Sequence, residues 1–289
     1  MKGIILAGGK GTRLIPITKT IPKPLLPVYD KPLIYYPLSL LIQAGIKDVL
    51  IIVPPNIKTP FEELFGDGSQ IGINISYKEQ PVQRGIADAF IVGEEFIGDD
   101  NVCLMLSDNI FMGPNMDNAL KIGAKTTDGA TIFGYYVDDP SPFGVVEFDE
   151  DGKAISLEEK PKIPKSNYIV PGMYFYDNSV IEVAKTITPS PRGELEITTV
   201  NEYYLKNNKL NVITLDKDTM WFDAGTPDNL LKAANCVAIQ EKLHSAMIGN
   251  VEEEAYKAEY IDKNQLLKLA NDLCRTDYGQ YLKTVAENS

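Results

Sequence analysis

The chain has 289 residues, with 28 lysines and arginines against 40 aspartates and glutamates, for a net charge of -12. That length suits one large α/β domain or a domain with an appendage, and the acidic balance argues against broad nucleic-acid binding, which needs a basic face. Three separated cysteines (Cys103, Cys236, Cys274) suggest neither a zinc site nor a disulfide framework, and no apolar run reaches the roughly 20 residues of a membrane helix.

Against that background the first 29 residues hold five bases (Lys2, Lys10, Arg13, Lys19, Lys23) and no acid. Gly3-Ile4-Ile5-Leu6 predicts a first strand. Met1-Lys2 leads straight into it, so no signal peptide is expected and the protein reads as cytoplasmic. The strand ends in Leu6-Ala7-Gly8-Gly9-Lys10-Gly11-Thr12-Arg13-Leu14. Glycine has no Cβ, so backbone N–H groups at Gly8, Gly9 and Gly11 can come close to an anion. Arg13 and Lys23 add fixed positive charge. A Walker loop is excluded because Lys10 is followed by Gly11, and the dinucleotide fingerprint because Leu14 stands where its third glycine belongs. The glycines alone fit a tight strand-to-helix turn as well as a phosphate cradle; the acid-free basic stretch tilts the reading towards a polyphosphate.

Further strands are predicted over 49–53, 73–77, 102–106 and 130–136. Helical spacing of apolar residues marks 35–44, 59–64, 86–96 and 116–125 between them. This alternation predicts a doubly wound, mostly parallel sheet with helices on both faces. After about residue 140, segments 144–148 and 154–160 flank the turn cluster 149–153 and read as a hairpin, with one more strand over 168–176. These pieces predict a small β-rich lobe over the carboxyl ends of the main sheet, where open α/β sheets bind ligands. From Thr226 onward only helices are expected, over 230–243, 263–273 and 278–286. The division expected is a catalytic domain over 1–228 and a helical segment over 229–289 that caps the core or packs on a sister subunit.

Two aspartates close apolar runs. Asp108 follows Val102-Cys103-Leu104-Met105-Leu106-Ser107, and Asp223 follows Met220-Trp221-Phe222. Carboxylates at strand ends, with phosphate oxygens, are a usual Mg²⁺ donor set, although both could be turn-formers or helix caps. Lys160 in Glu158-Glu159-Lys160-Pro161 is a surface ion pair or a phosphate contact at a strand end, and Arg192 is a weaker case of the same kind. His244, the single histidine, reads as a solvated helix residue. With no histidine base and no activated nucleophile, the inventory suits a reaction whose nucleophile is already ionised, such as a sugar phosphate attacking a nucleoside triphosphate.

The glycine block with Lys23 in Pro22-Lys23-Pro24-Leu25-Leu26-Pro27-Val28 resembles the sugar nucleotidyltransferases. The blocks at 30–39, 66–70, 108–111, 144–149, 155–161, 192–198 and 277–282 are more closely similar to the short-form glucose-1-phosphate thymidylyltransferases. The resemblance implies a Rossmann-like nucleotidyltransferase fold and transfer of a nucleotide from dTTP to glucose 1-phosphate, giving dTDP-glucose and pyrophosphate. It implies roles for Gly8, Gly9, Gly11 and Thr12 around the triphosphate, and for Arg13 and Lys23 on its phosphates. Gln80 and Gly85 would read the pyrimidine, and Asp108 and Asp223 would hold Mg²⁺. Lys160 would hold the sugar phosphate, and Gly144, Glu159 and Val170 would contact the sugar. A homotetramer, a place at the head of deoxyhexose synthesis such as dTDP-rhamnose, and a second, inhibitory nucleotide site are also implied.

The chain departs from that pattern at Pro24, Arg84, Ser107, Pro171, Thr199 and Ala224, and Lys217 and Lys257 stand where arginines are usual. UTP or another sugar 1-phosphate is the nearest alternative pair of substrates. A catalytically silent nucleotide-sugar sensor and a pure assembly subunit are the rivals from other classes.

Overall fold

The computed structural model describes residues 1–9 and 11–288; Lys10, in the glycine block, lies outside them. Ten strands form one sheet. They are β1 (Lys2–Leu6), β2 (Asp48–Val53), β3 (Asn74–Glu79), β4 (Val102–Leu106), β5 (Ala130–Tyr136), β6 (Gly144–Phe148), β7 (Ala154–Glu159), β8 (Tyr168–Ile169), β9 (Met173–Tyr176) and β10 (Leu210–Thr214). Their order is β7-β6-β8-β5-β9-β4-β1-β2-β3, with β10 beside β5. The heart, β3-β2-β1-β4, is parallel. Strand β9 then runs antiparallel between β4 and β5, and β10 returns parallel to β5. The alternation of side chains explains why this heart is apolar throughout. Ile5, Ile51 and Met105 face one core while Ile4, Ile52 and Leu104 face the other, so both sides of each strand are buried.

Several expected elements change at identifiable residues. The strand over 73–77 runs from Asn74 to Glu79. The helix over 86–96 divides at Gly93 into Asp88–Val92 and Glu94–Ile97; Gly93 N–H still donates to Ala89 O at 2.9 Å, and a Cβ at this position would meet the Ile4 side chain. The run 168–176 is two strands, not one. Proline has no N–H to donate at Pro171, and Gly172 packs against Leu106 with no room for a side chain. The hairpin forms as expected, closed by Asp149 N–H donating to Lys153 O, with Lys160 just beyond its second strand. The strand end expected at Asp223 forms as Met220–Asp223; its ribbon partner Asn109–Met112, strand β10 and helices Val180–Thr186 and Ile197–Lys206 were not anticipated as elements.

The helical tail has four helices, Pro227–His244, Val251–Lys257, Lys263–Asp272 and Asp277–Asn288, one more than expected. The first starts at Pro227 behind a Thr226 cap whose side chain accepts from Asn229 N–H. The tail caps the core: Val251, Ala255, Leu266, Ala270, Leu282 and Ala286 are buried in the same cluster as β1, β2 and β4. A buried ion pair fastens it as well. Lys31, 2 % exposed, reaches Glu241 Oε1 at 2.9 Å and Asp30 Oδ1 at 2.5 Å, with its ammonium over the rings of Tyr36 and Tyr278. Among the described residues no helix is long and apolar enough to cross a membrane.

Candidate active site

Two cavities open at the carboxyl ends of β1 and β4 and meet at Asp108. The first, of about 300 Å³, is lined by Gly8, Gly9, Lys23, Gln80, Gly85 and Asp108 among others. The second, of about 480 Å³, is lined by Arg13, Asp108, Gly144, Glu159, Lys160, Val170 and Asp223 among others. The structure thus gathers most of the residues singled out from sequence into adjoining compartments, one against the glycine loop and one against the β-rich lobe. Gly11 and Thr12 lie just beyond the lining. Gly11 takes a left-handed φ of 59°, and a Cβ there would collide with Thr18. Arg192 also stands outside the cavities, its guanidinium engaged by Glu159, Glu194 and Glu196. It braces Glu159, which lines the second cavity.

The carboxylates come together through backbone. Asp108 sits in the turn between β4 and Asn109–Met112, and Asp223 ends the partner strand of that ribbon, directly opposite Asn109. Ala224 N–H closes the corner by donating to Asp108 O at 2.9 Å. Lys23, 7 % exposed in a short 3₁₀ turn, donates to Asp108 Oδ2 at 2.5 Å and lies 3.9 Å from Asp223 Oδ1. Arg13 Nη2 is 3.8 Å from Asp223 Oδ2. It can be there because residue 225 is glycine: a Cβ at Gly225 would lie 2.4 Å from that nitrogen. Burial pushes the Asp108 carboxyl up, but the Lys23 ammonium, with the hydrogen bonds from Lys23 and Asn109, holds the group below its ordinary value. Burial and then the neighbouring Asp108 charge hold Asp223 above its own.

Asp223 Oδ1 is buried and accepts no hydrogen bond. A buried acceptor of this kind, beside a second carboxylate, fits a divalent cation, which would satisfy the oxygen and offset the repulsion between the pair. Among the described residues no third His, Cys, Asp or Glu joins them. Such a donor set leaves coordination positions for phosphate oxygens and water, as suits Mg²⁺ better than an all-protein cage.

One residue of this centre had no role assigned from sequence. Asn109 donates from Nδ2 to Asp108 Oδ1 at 2.9 Å, while its Oδ1 accepts from Gly172 N–H at 3.0 Å and Trp221 Nε1 at 2.6 Å. It orients the aspartate and ties three segments together; only its adjacency to Asp108 could have flagged it. Thr198 does similar work in the second cavity, donating to Glu159 Oε2 at 2.5 Å. A Cβ at Gly144 would stand 2.9 Å from that Thr198 hydroxyl and would displace it. Lys160 takes a φ of 44°, with its amino group half-exposed and 3.7 Å from Glu159 Oε1.

The profile of the nucleotidyl transferase family matches residues 2–240. The chain belongs to the nucleotidyl transferase family. The glucose-1-phosphate thymidylyltransferase of Neisseria meningitidis serogroup A / serotype 4A is 51 % identical to this transferase over 282 residues, 98 % of each chain. That of Mycobacterium tuberculosis strain H37Rv is 50 % identical over 289 residues, all of both chains. A Bacillus anthracis protein assigned as a glucose-1-phosphate thymidylyltransferase and solved with sucrose superposes with a TM-score of 0.76 at 41 % identity, covering 82 % of this chain and 94 % of its own.

Away from these compartments, the transferase has a third cavity of about 730 Å³ between the helices Tyr35–Gln43 and Pro227–His244. Lys217 and Glu254 are in its lining; Lys257 is not, and its ammonium is paired with Glu253 and Glu254 at 3.0 and 3.2 Å. His244 ends the helix at the rim, exposed, beside Gln240. The three cysteines are unpaired.

Proposed function

We propose that this protein condenses dTTP with α-D-glucose 1-phosphate, giving dTDP-glucose and pyrophosphate, with Mg²⁺ as its cation. The observation that carries the reading is the placement of Asp108, Asp223 and Lys23 where the two cavities meet. The names borne by relatives at about half identity over the full length support the substrate pair.

In this reading an ionised oxygen of the sugar phosphate forms a bond to the α-phosphorus, the bond from that phosphorus to the bridging oxygen breaks, and pyrophosphate leaves with the electron pair. No proton has to move, which accords with a centre that offers no histidine. Bound by Asp108 and Asp223, Mg²⁺ would supply charge neutralisation at the phosphates. Gly8, Gly9, Gly11 and Thr12 let the triphosphate approach the backbone, and Arg13 and Lys23 take up the charge of the leaving pyrophosphate. Gln80 and Gly85 face the base, Lys160 holds the sugar phosphate, and Gly144, Glu159 and Val170 bound the sugar, with Arg192 bracing Glu159. In-line placement and fixed charges then carry the catalysis.

The test is pyrophosphate release from glucose 1-phosphate and Mg²⁺, with dTTP and UTP compared at equal, sub-saturating concentration. A marked preference for dTTP is expected, and Asp108→Ala should lose nearly all turnover while staying folded. Equal rates with the two nucleotides refute the dTTP assignment; normal turnover in Asp108→Ala refutes the centre. UTP is the second reading, because Pro24 lines the base-side cavity and offers no side-chain hydrogen bond to the base. We further propose a cytoplasmic homotetramer acting at the head of a deoxyhexose route such as that to dTDP-rhamnose. Leu231, Ile239 and Leu243 are large apolar side chains exposed along the helix Pro227–His244, which supports assembly, and light scattering on the purified protein tests it.

A further inference from the structure

One buried charge takes no part in the chemistry above. Asp88 is 1 % exposed, at the first turn of Asp88–Val92 behind the base-side cavity. Its Oδ2 accepts from Gln80 Nε2 at 2.7 Å, and its Oδ1 accepts from Arg84 Nη2 at 2.7 Å. Gln80 is itself buried and lines the cavity. A carboxylate only accepts, so Asp88 dictates which end of the Gln80 amide faces which way. The NH₂ group is turned inward to Asp88. The carbonyl oxygen is left on the Gly8 side, so close that a Cβ at Gly8 would stand 2.8 Å from it. The segment that carries Arg84 is fixed in turn. Leu195 N–H donates to Arg84 O at 2.5 Å, and Gly85, with a φ of 108°, lies against the Leu195 backbone with no room for a side chain.

We infer that Asp88, held by Arg84, is a positioning residue that makes Gln80 present a hydrogen-bond acceptor to the base, so that the site selects a pyrimidine carrying an imide N–H. This rests on the proposed reading that Gln80 faces the base. Thymine and uracil carry a donor at N3. Cytosine carries an acceptor there, which would meet the Gln80 oxygen with no hydrogen between them. A mismatch of hydrogen-bonding poles discriminates far more strongly than a methyl group does, because it leaves buried polar atoms unpaired. The same arrangement is indifferent to the thymine methyl, so it assigns base class and leaves the choice between dTTP and UTP to other residues.

The experiment compares kcat/KM for dTTP and dCTP, with glucose 1-phosphate, in the wild type, Asp88→Asn and Gln80→Ala. An asparagine in place of Asp88 could offer either end of its amide, freeing Gln80 to turn. Asp88→Asn should therefore lower the dTTP-to-dCTP ratio by at least about ten-fold, chiefly through loss of dTTP turnover. A purely structural role would depress both substrates together and leave the ratio alone. An unchanged ratio in Asp88→Asn overturns the inference. If Gln80→Ala then lowers it, Gln80 still reads the base and only the role of Asp88 falls; if Gln80→Ala also leaves it unchanged, the base assignment falls too. Asp88→Ser, which also removes the carboxylate, decides by the same ratio if the asparagine variant is not recovered folded.

Discussion

The Lys31–Glu241 pair allows a quantitative test of what holds the helical tail to the catalytic body. Lys31 is 2 % and Glu241 6 % exposed, and Glu241 Oε1 also accepts from Ile248 N–H at 2.8 Å. Removing one partner of a buried pair costs about 3–5 kcal/mol, because the other charge is left in a low-dielectric site. Lys31→Met strands the Glu241 carboxylate with a single N–H, so a loss of about 3 kcal/mol is expected. Glu241→Gln is milder, at about 2 kcal/mol, since Lys31 keeps Asp30 at 2.5 Å and the new amide oxygen still serves Ile248. The double variant carries no buried charge at these two positions and should lie within about 1–2 kcal/mol of the wild type, against about 5 kcal/mol for simple addition. Urea unfolding followed by circular dichroism reads the cycle, with a coupling of about 3 kcal/mol expected. Costs that add to within about 0.5 kcal/mol would refute the reasoning and make the pair a bystander.

Asn109→Ala removes the three bonds that steady Asp108, Gly172 and Trp221; we expect turnover to fall by about a hundred-fold with little change in KM, and a fall below about three-fold would show that Asp108 is oriented without it. Burial holds Glu252 above the ordinary carboxyl value, despite the donating hydroxyl of Tyr278. The native state therefore keeps a proton that the unfolded chain has already released, and stability falls as pH rises through the window above the ordinary glutamate value. Glu252→Gln removes that slope, so the melting temperature of the variant should gain on the wild type as pH rises above the ordinary glutamate value; a gap that widens against the variant would contradict the sign. Lys217 lines the third cavity as a point charge and Lys257 is already paired with two glutamates, so inhibition by dTDP-rhamnose should be weak, and strong inhibition at concentrations well below those of the substrates would contradict that expectation.

The parallel heart was legible because buried strands such as 49–53 and 102–106 are short apolar runs, bounded by Asp48 and Pro54 in the one and by Asn101 and Ser107 in the other. Other elements were hidden for physical reasons. Val251–Lys257 reads as Val-Glu-Glu-Glu-Ala-Tyr-Lys, too acidic for an apolar pattern, and it folds as a helix because Asn250 caps it and Val251 and Ala255 find the core. The split at Pro171 was implied by the missing N–H, but a long apolar run overrode it. Within the site, Gly8, Lys23, Asp108 and Asp223 stood out because phosphate and cation chemistry admits few residue types. Their neighbours did not. Asn109, Thr198 and Asp88 act by orienting other side chains, and nothing in a one-dimensional pattern separates such residues from ordinary polar ones.

The ribbon of Asn109–Met112 and Met220–Asp223 bears on how such a protein can change. Because Asp223 lies across from Asn109, the separation of the two carboxylates is set by a β-ladder and not by the reach of loops. A one-residue slip would turn Asp223 to the opposite face. Everything from 113 to 219 leaves and re-enters through the open end of that ladder, including the hairpin that bounds the second cavity. Surface loops of this excursion can be lengthened, shortened or exchanged while Asp108 and Asp223 keep their spacing, so the second cavity can be remade without rebuilding the carboxylate pair at its edge.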